Sequence, residues 1–148
     1  IIVVNRYRVK QRILYYFCRH NPHVGPRIDD IGFVEHRELH KAIREADIHL
    51  HPRLGDPAPN SVVESLACGH PIVGPSLGGA KEMAGPAGVF FDWDSWEYGP
   101  AYVQILTEAL EEAIVNYGTL APLARNRAER YLSSRRMARA YMKVLKLF

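Results

Sequence analysis

Cysteine is scarce in this chain. Cys18 and Cys68 are the only two in 148 residues, far apart and neither in a Cys-x-x-Cys pair. That excludes a disulfide framework and a cysteine-rich metal module, and it points to a reducing compartment with buried thiols. Long apolar runs are missing too: nothing approaches the roughly 20 residues that span a bilayer, and the opening Ile-Ile-Val-Val is too short for a signal peptide. There is no internal repeat and no low-complexity stretch, which removes solenoids and linkers. Charge of one sign hardly dominates, with 19 basic against 16 acidic side chains. No basic and aromatic residues interleave, so a nucleic-acid partner is not expected. What remains is an ordinary globular composition, 47% hydrophobic and 24% charged. A chain of this length makes one domain that hides roughly 70% of its unfolded surface.

The order of apolar segments gives the class. Residues 1–4 form a β-branched run, residues 9–18 carry apolar side chains at helical intervals, and residues 31–34 read as a second strand. Leu39, Ile43 and Ala46 mark an amphipathic helix, and residues 47–51 a third strand stopped by Pro52. Asn60 or Ser61 caps the next helix, which holds Val62, Val63, Leu66 and Ala67 and has Gly69 just past its end. Residues 71–74 and 88–91 read as the fourth and fifth strands. Short apolar strands alternating with helices predict an α/β fold, a doubly wound parallel sheet covered on both faces. Residues 1–100 carry the alternation and residues 101–148 the C-terminal helices, all within one domain. Val103, Leu106, Leu110, Ala113, Ile114 and Tyr117 make one packing stripe there. Met137, Ala140, Tyr141, Val144, Leu145 and Phe148 make another, with Pro122 and Ser133-Ser134 separating the helices.

Chemistry concentrates between Gly55 and Glu82. Ligands of open parallel sheets sit at the carboxyl ends of the strands, and Asp56 and Glu64 fall in the loop and first turn after the third strand. A carboxylate suits a diol because it accepts two donors at once. Glu64 lies off the apolar face of its helix, so packing does not explain it; the competing reading is a capping box, Ser61-x-x-Glu64. For Asp56 the competing reading is a turn residue ahead of Pro57. Gly78 and Gly79 permit close backbone approach and open a helix, residues 80–84, whose amides favour an anion.

Three pieces of this stretch stand in order: Asp56-x7-Glu64, Leu66-Ala67-Cys68-Gly69-His70-Pro71-Ile72-Val73, and Gly78-Gly79-Ala80-Lys81-Glu82. Together they resemble the Glu-x7-Glu, Ala-x-Gly-x-Pro-Val-Val and Gly-Gly-x-x-Glu series of glycosyltransferase family 4, also called group 1. Gly32-Phe33-Val34, Glu38-Leu39 and Ala46-Asp47 extend the likeness upstream, and Gly88-Val89-Phe90-Phe91-Asp92 downstream. It is strongest over residues 31–92. The resemblance implies the Rossmann-like C-terminal, donor-binding half of a two-domain (GT-B) enzyme. Such an enzyme would be a retaining hexosyltransferase of carbohydrate biosynthesis moving a sugar from a nucleoside diphosphate to an acceptor, with no cofactor and no metal. By that likeness Glu64 meets the ribose hydroxyls and Asp56 the sugar in transit, and these two are the candidate catalytic residues. Gly78, Gly79 and Glu82 border the diphosphate, Gly32, Phe33 and Val34 lodge the base, and Asn60 and Ser61 complete the donor-binding set. Two departures stand out: Asp replaces the first Glu, and Pro59 replaces a common Gly, removing an amide donor.

The resemblance also implies that residues 1–4 are the second strand of that domain. Its first strand-loop-helix unit and an N-terminal acceptor domain are then expected outside this sequence. The other register would match Arg6 and Lys10 to the family's phosphate-binding pair, one residue short in spacing. The rival functions are a non-catalytic nucleotide or sugar-binding module and a nucleotide-sugar epimerase of the same architecture. Seven histidines invite a metal, but His49 with His51 and His36 with His40 lack a zinc-type pattern and are read as structural; His20, His23 and His70 are read as surface or turn residues. Arg135, Arg136, Arg139, Lys143 and Lys146 form a solvated face opposite the last apolar stripe. A peripheral contact of a cytoplasmic enzyme with an anionic membrane is the alternative.

Overall fold

The computed structural model describes residues 2–5, 12–15, 28–30 and 34–146. Six strands form one sheet in the order β3-β1-β2-β4-β5-β6. They are β1 (Ile2–Asn5), β2 (Arg12–Tyr15), β3 (Ile28–Asp30), β4 (Ile48–Leu50), β5 (Ile72–Pro75) and β6 (Gly88–Phe91). Strands β2, β4, β5 and β6 run parallel, whereas β1 pairs antiparallel with both β2 and β3. The helices are α1 (His36–Arg44), α2 (Asn60–Ala67), α3 (Ala80–Ala84), α4 (Pro100–Val115), α5 (Tyr117–Tyr131) and α6 (Ser134–Val144).

Every residue of β5 is buried, as expected of a parallel strand with helices on both faces. Its side chains alternate between two cores. Val73 joins Ile48, Phe91, Tyr102, Ala109 and Ala113 on the α4 side. Ile72 joins Val62, Leu66, Ala80, Ala84, Ala124 and Ala128, contributed by α2, α3 and α5. The small alanines let three helices pack closely on that face. Two arginines of α5 then close it. Arg125 donates to the carbonyl of Ala67 at the end of α2. Arg127 donates from Nε to Met83 O at 2.8 Å and from Nη2 to Glu82 O at 2.7 Å at the end of α3. Guanidinium groups thus satisfy carbonyls that a helix end leaves without partners.

Several expectations from the sequence need correction. Residues 12–15, inside the stretch expected to be helical, form strand β2: Ile13-Leu14-Tyr15 is a short apolar run, which periodicity cannot assign, and pairing with β1 and β4 decides it. A strand stands at Ile28–Asp30, just ahead of the one expected at residues 31–34, of which Val34 is irregular and residues 31–33 lie outside the described residues. The sheet is parallel through β2, β4, β5 and β6, as the doubly wound class requires, and β1 adds two antiparallel pairings, with β2 and with β3, toward one edge. Pro122 does not separate helices but sits inside α5. The break falls at Asn116, whose N–H donates to Glu112 O and whose carbonyl accepts from Thr119 and Leu120, so one residue ends α4 and begins α5. Within α4 the buried side chains are Tyr102, Ala109 and Ala113, and Val103 is exposed.

The largest correction concerns α6. Ser133 caps it by accepting from the Arg136 amide, yet no residue of α6 is buried. Met137, Tyr141, Val144 and Leu145, expected to pack, are 57–78% exposed. Phe148 lies outside the described residues.

Candidate active site

At the carboxyl ends of β4, β5 and β6 the chain makes three connections, and the motif residues are distributed over them. Residues 51–59 follow β4, residues 76–79 follow β5, and residues 92–99 follow β6. The first two are bonded to each other: Gly55 N–H donates to Leu77 O at 3.2 Å, and Gly79 N–H donates to Asp56 O at 2.8 Å. This close approach is what the two glycines permit. A Cβ on Gly79 would sit 2.0 Å from Pro57 O, and one on Gly78 would sit 2.6 Å from Asp56 O, with φ at +114° besides. The structure therefore brings Asp56, Gly78 and Gly79 together, and part of the reason for the glycines is the loop itself.

Asp56 is mostly withdrawn from solvent, with 22% of its side chain exposed, and Arg53 Nη1 lies 3.8 Å from its Oδ2. Its Oδ1 accepts from Ala58 N–H at 3.2 Å, the turn bond that the competing reading foresaw. One carboxylate oxygen is thus occupied by its own turn, and the other faces a cation. Pro59 is buried and stands as the N-cap of α2, offering no side-chain cap.

Glu64 is not in a capping box, because the cap position belongs to Pro59 and Ser61 is already within α2. Its side chain is 33% exposed, and His36 Nε2 lies 3.7 Å from its Oε1. Burial pushes the Glu64 carboxyl above its ordinary range, with His36 pulling the other way. His36 opens α1, two residues after the half-buried Val34, so the start of α1 and Glu64 of α2 meet through a histidine. Gly32 and Phe33 lie outside the described residues. Asn60 is exposed and Ser61 half-buried at the start of α2. Glu82 is exposed, and its carbonyl is engaged by Arg127.

The histidines divide differently from the sequence reading. His49 Nδ1 lies 2.7 Å from Ser65 Oγ, both groups buried, which fastens α2 to β4. Its ring is 5.8 Å from that of His51. Burial holds the pKa of His49 well below normal, with His51 and His70 adding to it and the Ser61 backbone opposing. His51 is lowered by burial as well, Asp56 opposing. His70, expected at the surface or in a turn, follows the turn that ends α2 but is only 4% exposed: Gly69 has φ +88° and His70 N–H donates back to Ser65 O, so the turn folds inward. Burial lowers His70 to about 4. Cys68 is half-buried and burial pushes its thiol up, the behaviour of an unreactive thiol; Cys18 lies outside the described residues. No group of three or more His, Cys, Asp or Glu among the described residues is placed to hold a metal.

Sequence reasoning missed the aromatic brace behind the site. Tyr102 meets Phe91, Trp93 and Tyr98 edge to face at 5.2–5.6 Å, and its hydroxyl donates to Pro52 O. Tyr98 Oη in turn accepts from Leu54 N–H at 3.3 Å. Ser76 Oγ bonds Phe91 O at 2.9 Å as well as the Asp92 carboxylate, joining the loops after β5 and β6. The only signal for this was the aromatic density of residues 90–102. A separate cleft of 650 Å³ between α5 and α6, lined by Arg130, Ser133, Arg136, Arg139 and Lys143, contains no motif residue.

The fold is a doubly wound, Rossmann-like sheet, with Asp56 and the Gly78-Gly79 loop joined at its strand ends. The chain belongs to the group 1 glycosyl transferases, whose family model matches residues 10–112. No curated protein matches it. No helix among the described residues is long and apolar enough to cross a membrane.

Proposed function

We propose that this chain is the donor-binding domain of a retaining glycosyltransferase that takes its sugar from a nucleoside diphosphate. The observation that carries the reading is Glu64: a partly buried carboxylate, relieved of any capping role, held beside the residues that follow Val34. A ribose diol offers such a group two hydroxyl donors and compensates the desolvation that raises its pKa. Asp56, locked against Gly79 and with Arg53 beside it, is the residue we assign to the transferred sugar. The protein's contribution to departure of the diphosphate is electrostatic, from loop amides and cations. The acceptor is supplied by a second half, and the exposed apolar stripe of α6 is the surface such a half would cover.

Glu64→Gln tests this. The substitution keeps the shape and turns charge-assisted hydrogen bonds into neutral ones, which costs on the order of 1–2 kcal/mol and weakens nucleoside diphosphate binding about tenfold. Stability moves the other way. A carboxyl whose folded pKa is raised makes the folded state bind its proton more tightly, so ionised Glu64 costs stability above that pKa. The Gln variant is therefore expected to melt no lower than the parent at pH 7. Calorimetric titration and thermal melts read both; unchanged affinity with a lowered melting temperature would leave Glu64 a structural residue and remove the reading.

An observation also favours a non-catalytic binding module. Asp56 spends one oxygen on its own turn and is a methylene shorter than glutamate. Measurable donor hydrolysis or transfer by the chain joined to its acceptor half, lost in Asp56→Asn, would decide for the enzyme.

A further inference from the structure

We infer that Trp96 is a stacking platform for the sugar carried by the donor, an assignment that rests on the reading just given. Trp96 is 69% exposed and belongs to none of the hydrophobic clusters. Trp93, three residues earlier, packs against the α4 core. The connection after β6 thus carries one indole inward as an anchor and turns the other out. An exposed indole offers a large, flat apolar face with a polar N–H at its edge, and the case for a ligand rests on where this one is seated.

Its seat is specific. The outer edge of the indole lies against Gly55, where a Cβ would be 2.5 Å from Cη2 and 2.8 Å from Cζ3. Gly55 has φ +67°, so the position both needs a glycine and leaves room for the ring. Gly55 donates to Leu77 O, and the next residue, Asp56, accepts from Gly79. Trp96 therefore borders the loop that holds the candidate sugar carboxylate. The connection is stiffened on both sides of the ring: Ser95 Oγ accepts from Glu97 N–H at 3.1 Å, and Tyr98 is tied to Leu54.

The chemistry that fits a flat apolar face beside a carboxylate and a guanidinium is a pyranose. One face of the ring presents C–H groups that lie on an indole, while its edge presents hydroxyls to Asp56 and Arg53. A nucleobase also stacks on indole. The residues assigned to the nucleoside, however, are Val34 and Glu64, with His36, whereas the Trp96 seat, Gly55, adjoins Asp56, the residue assigned to the sugar.

The experiment compares a nucleoside diphosphate with its hexose-bearing form, for a panel of bases, on the parent chain, Trp96→Ala and Trp96→Phe. Trp96→Ala is expected to weaken the sugar-bearing ligand about tenfold and leave the bare diphosphate unchanged, with Trp96→Phe retaining most of the affinity. Equal loss for both ligands would make Trp96 a loop brace or base platform, and no loss for either would leave it idle; each overturns the proposal. Should the parent bind no nucleotide at all, the donor reading fails by itself. The platform is then read separately, from the emission difference between the parent and Trp96→Phe on titration with free hexoses: a saturable change supports it, and none overturns it.

Discussion

Helices α2 and α6 are both short and amphipathic, and they meet opposite fates. In α2, Val62, Ser65 and Leu66 are buried, His49 bonds Ser65 from the strand beneath, and Arg125 closes the C-terminal end. In α6 the apolar and cationic faces are as clearly divided, yet nothing is buried. Amphipathicity states which face a helix will bury if a partner is supplied, and says nothing of whether this chain supplies one. In α2 the partner is the sheet and the alanines of α5; in α6 the apolar face has none among the described residues.

The contrast can be broken by substitution. Leu66→Ala removes a fully buried side chain from the α2 core and is expected to cost about 2–5 kcal/mol, read as a fall in the denaturant midpoint. A loss below about 1 kcal/mol would mean that α2 is no better packed than α6.

Acid should act next most strongly, and on the packed region alone. His70 has a folded pKa of about 4 against 6.5, so the unfolded chain binds the proton more tightly. The stability tied to its neutral form is present above pH 6.5 and lost as pH falls toward 4, by about 3 kcal/mol at most. His49 and His51, lowered in the same sense, add to the slope. His70→Leu should flatten part of this acid limb, giving curves parallel to the parent above pH 6.5 and diverging below. Curves parallel throughout would mean that His70 titrates normally.

Gly79→Ala is expected to cost about 1–3 kcal/mol, because the new methyl meets the Pro57 carbonyl and the loop carrying Asp56 must move. Donor affinity should fall with it. Smallest of all, Val144→Ala on α6 is expected within about 0.5 kcal/mol of the parent. Repeating it in a chain joined to the acceptor half proposed above sharpens the comparison, since a helix that gains a partner there should register the same change as a core substitution.

Much of the sheet was legible from short apolar runs between turn residues. The runs at residues 47–51, 71–74 and 88–91 lie within a residue or so of β4, β5 and β6. β5 is buried throughout, β4 nearly so and β6 in part, so their hydrophobicity is nearly continuous and Pro or Gly stands at their ends. The first third was less legible. Residues 12–15 carry no local feature that separates strand from helix, and β3 contains two aspartates, which no propensity favours in a strand. Of the site, the grouping of Asp56 with Gly78 and Gly79 was readable in the motif spacing. The pairing of Glu64 with His36 and the seat of Trp96 on Gly55 were not, since each joins residues far apart in sequence without periodicity or spacing to announce them.

The sequence by itself determined the α/β class and the order of β4, α2, β5, α3 and β6, because these depend on local patterns of apolar and turn residues. Tertiary structure alone decided that Pro59 rather than Ser61 caps α2 and so leaves Glu64 uncapped. It also decided that His70 turns inward and lowers its pKa, and that α6 keeps its apolar face uncovered. Each of these depends on what stands opposite a residue in space, and burial, desolvation and contact are properties of the assembled neighbours rather than of the residue.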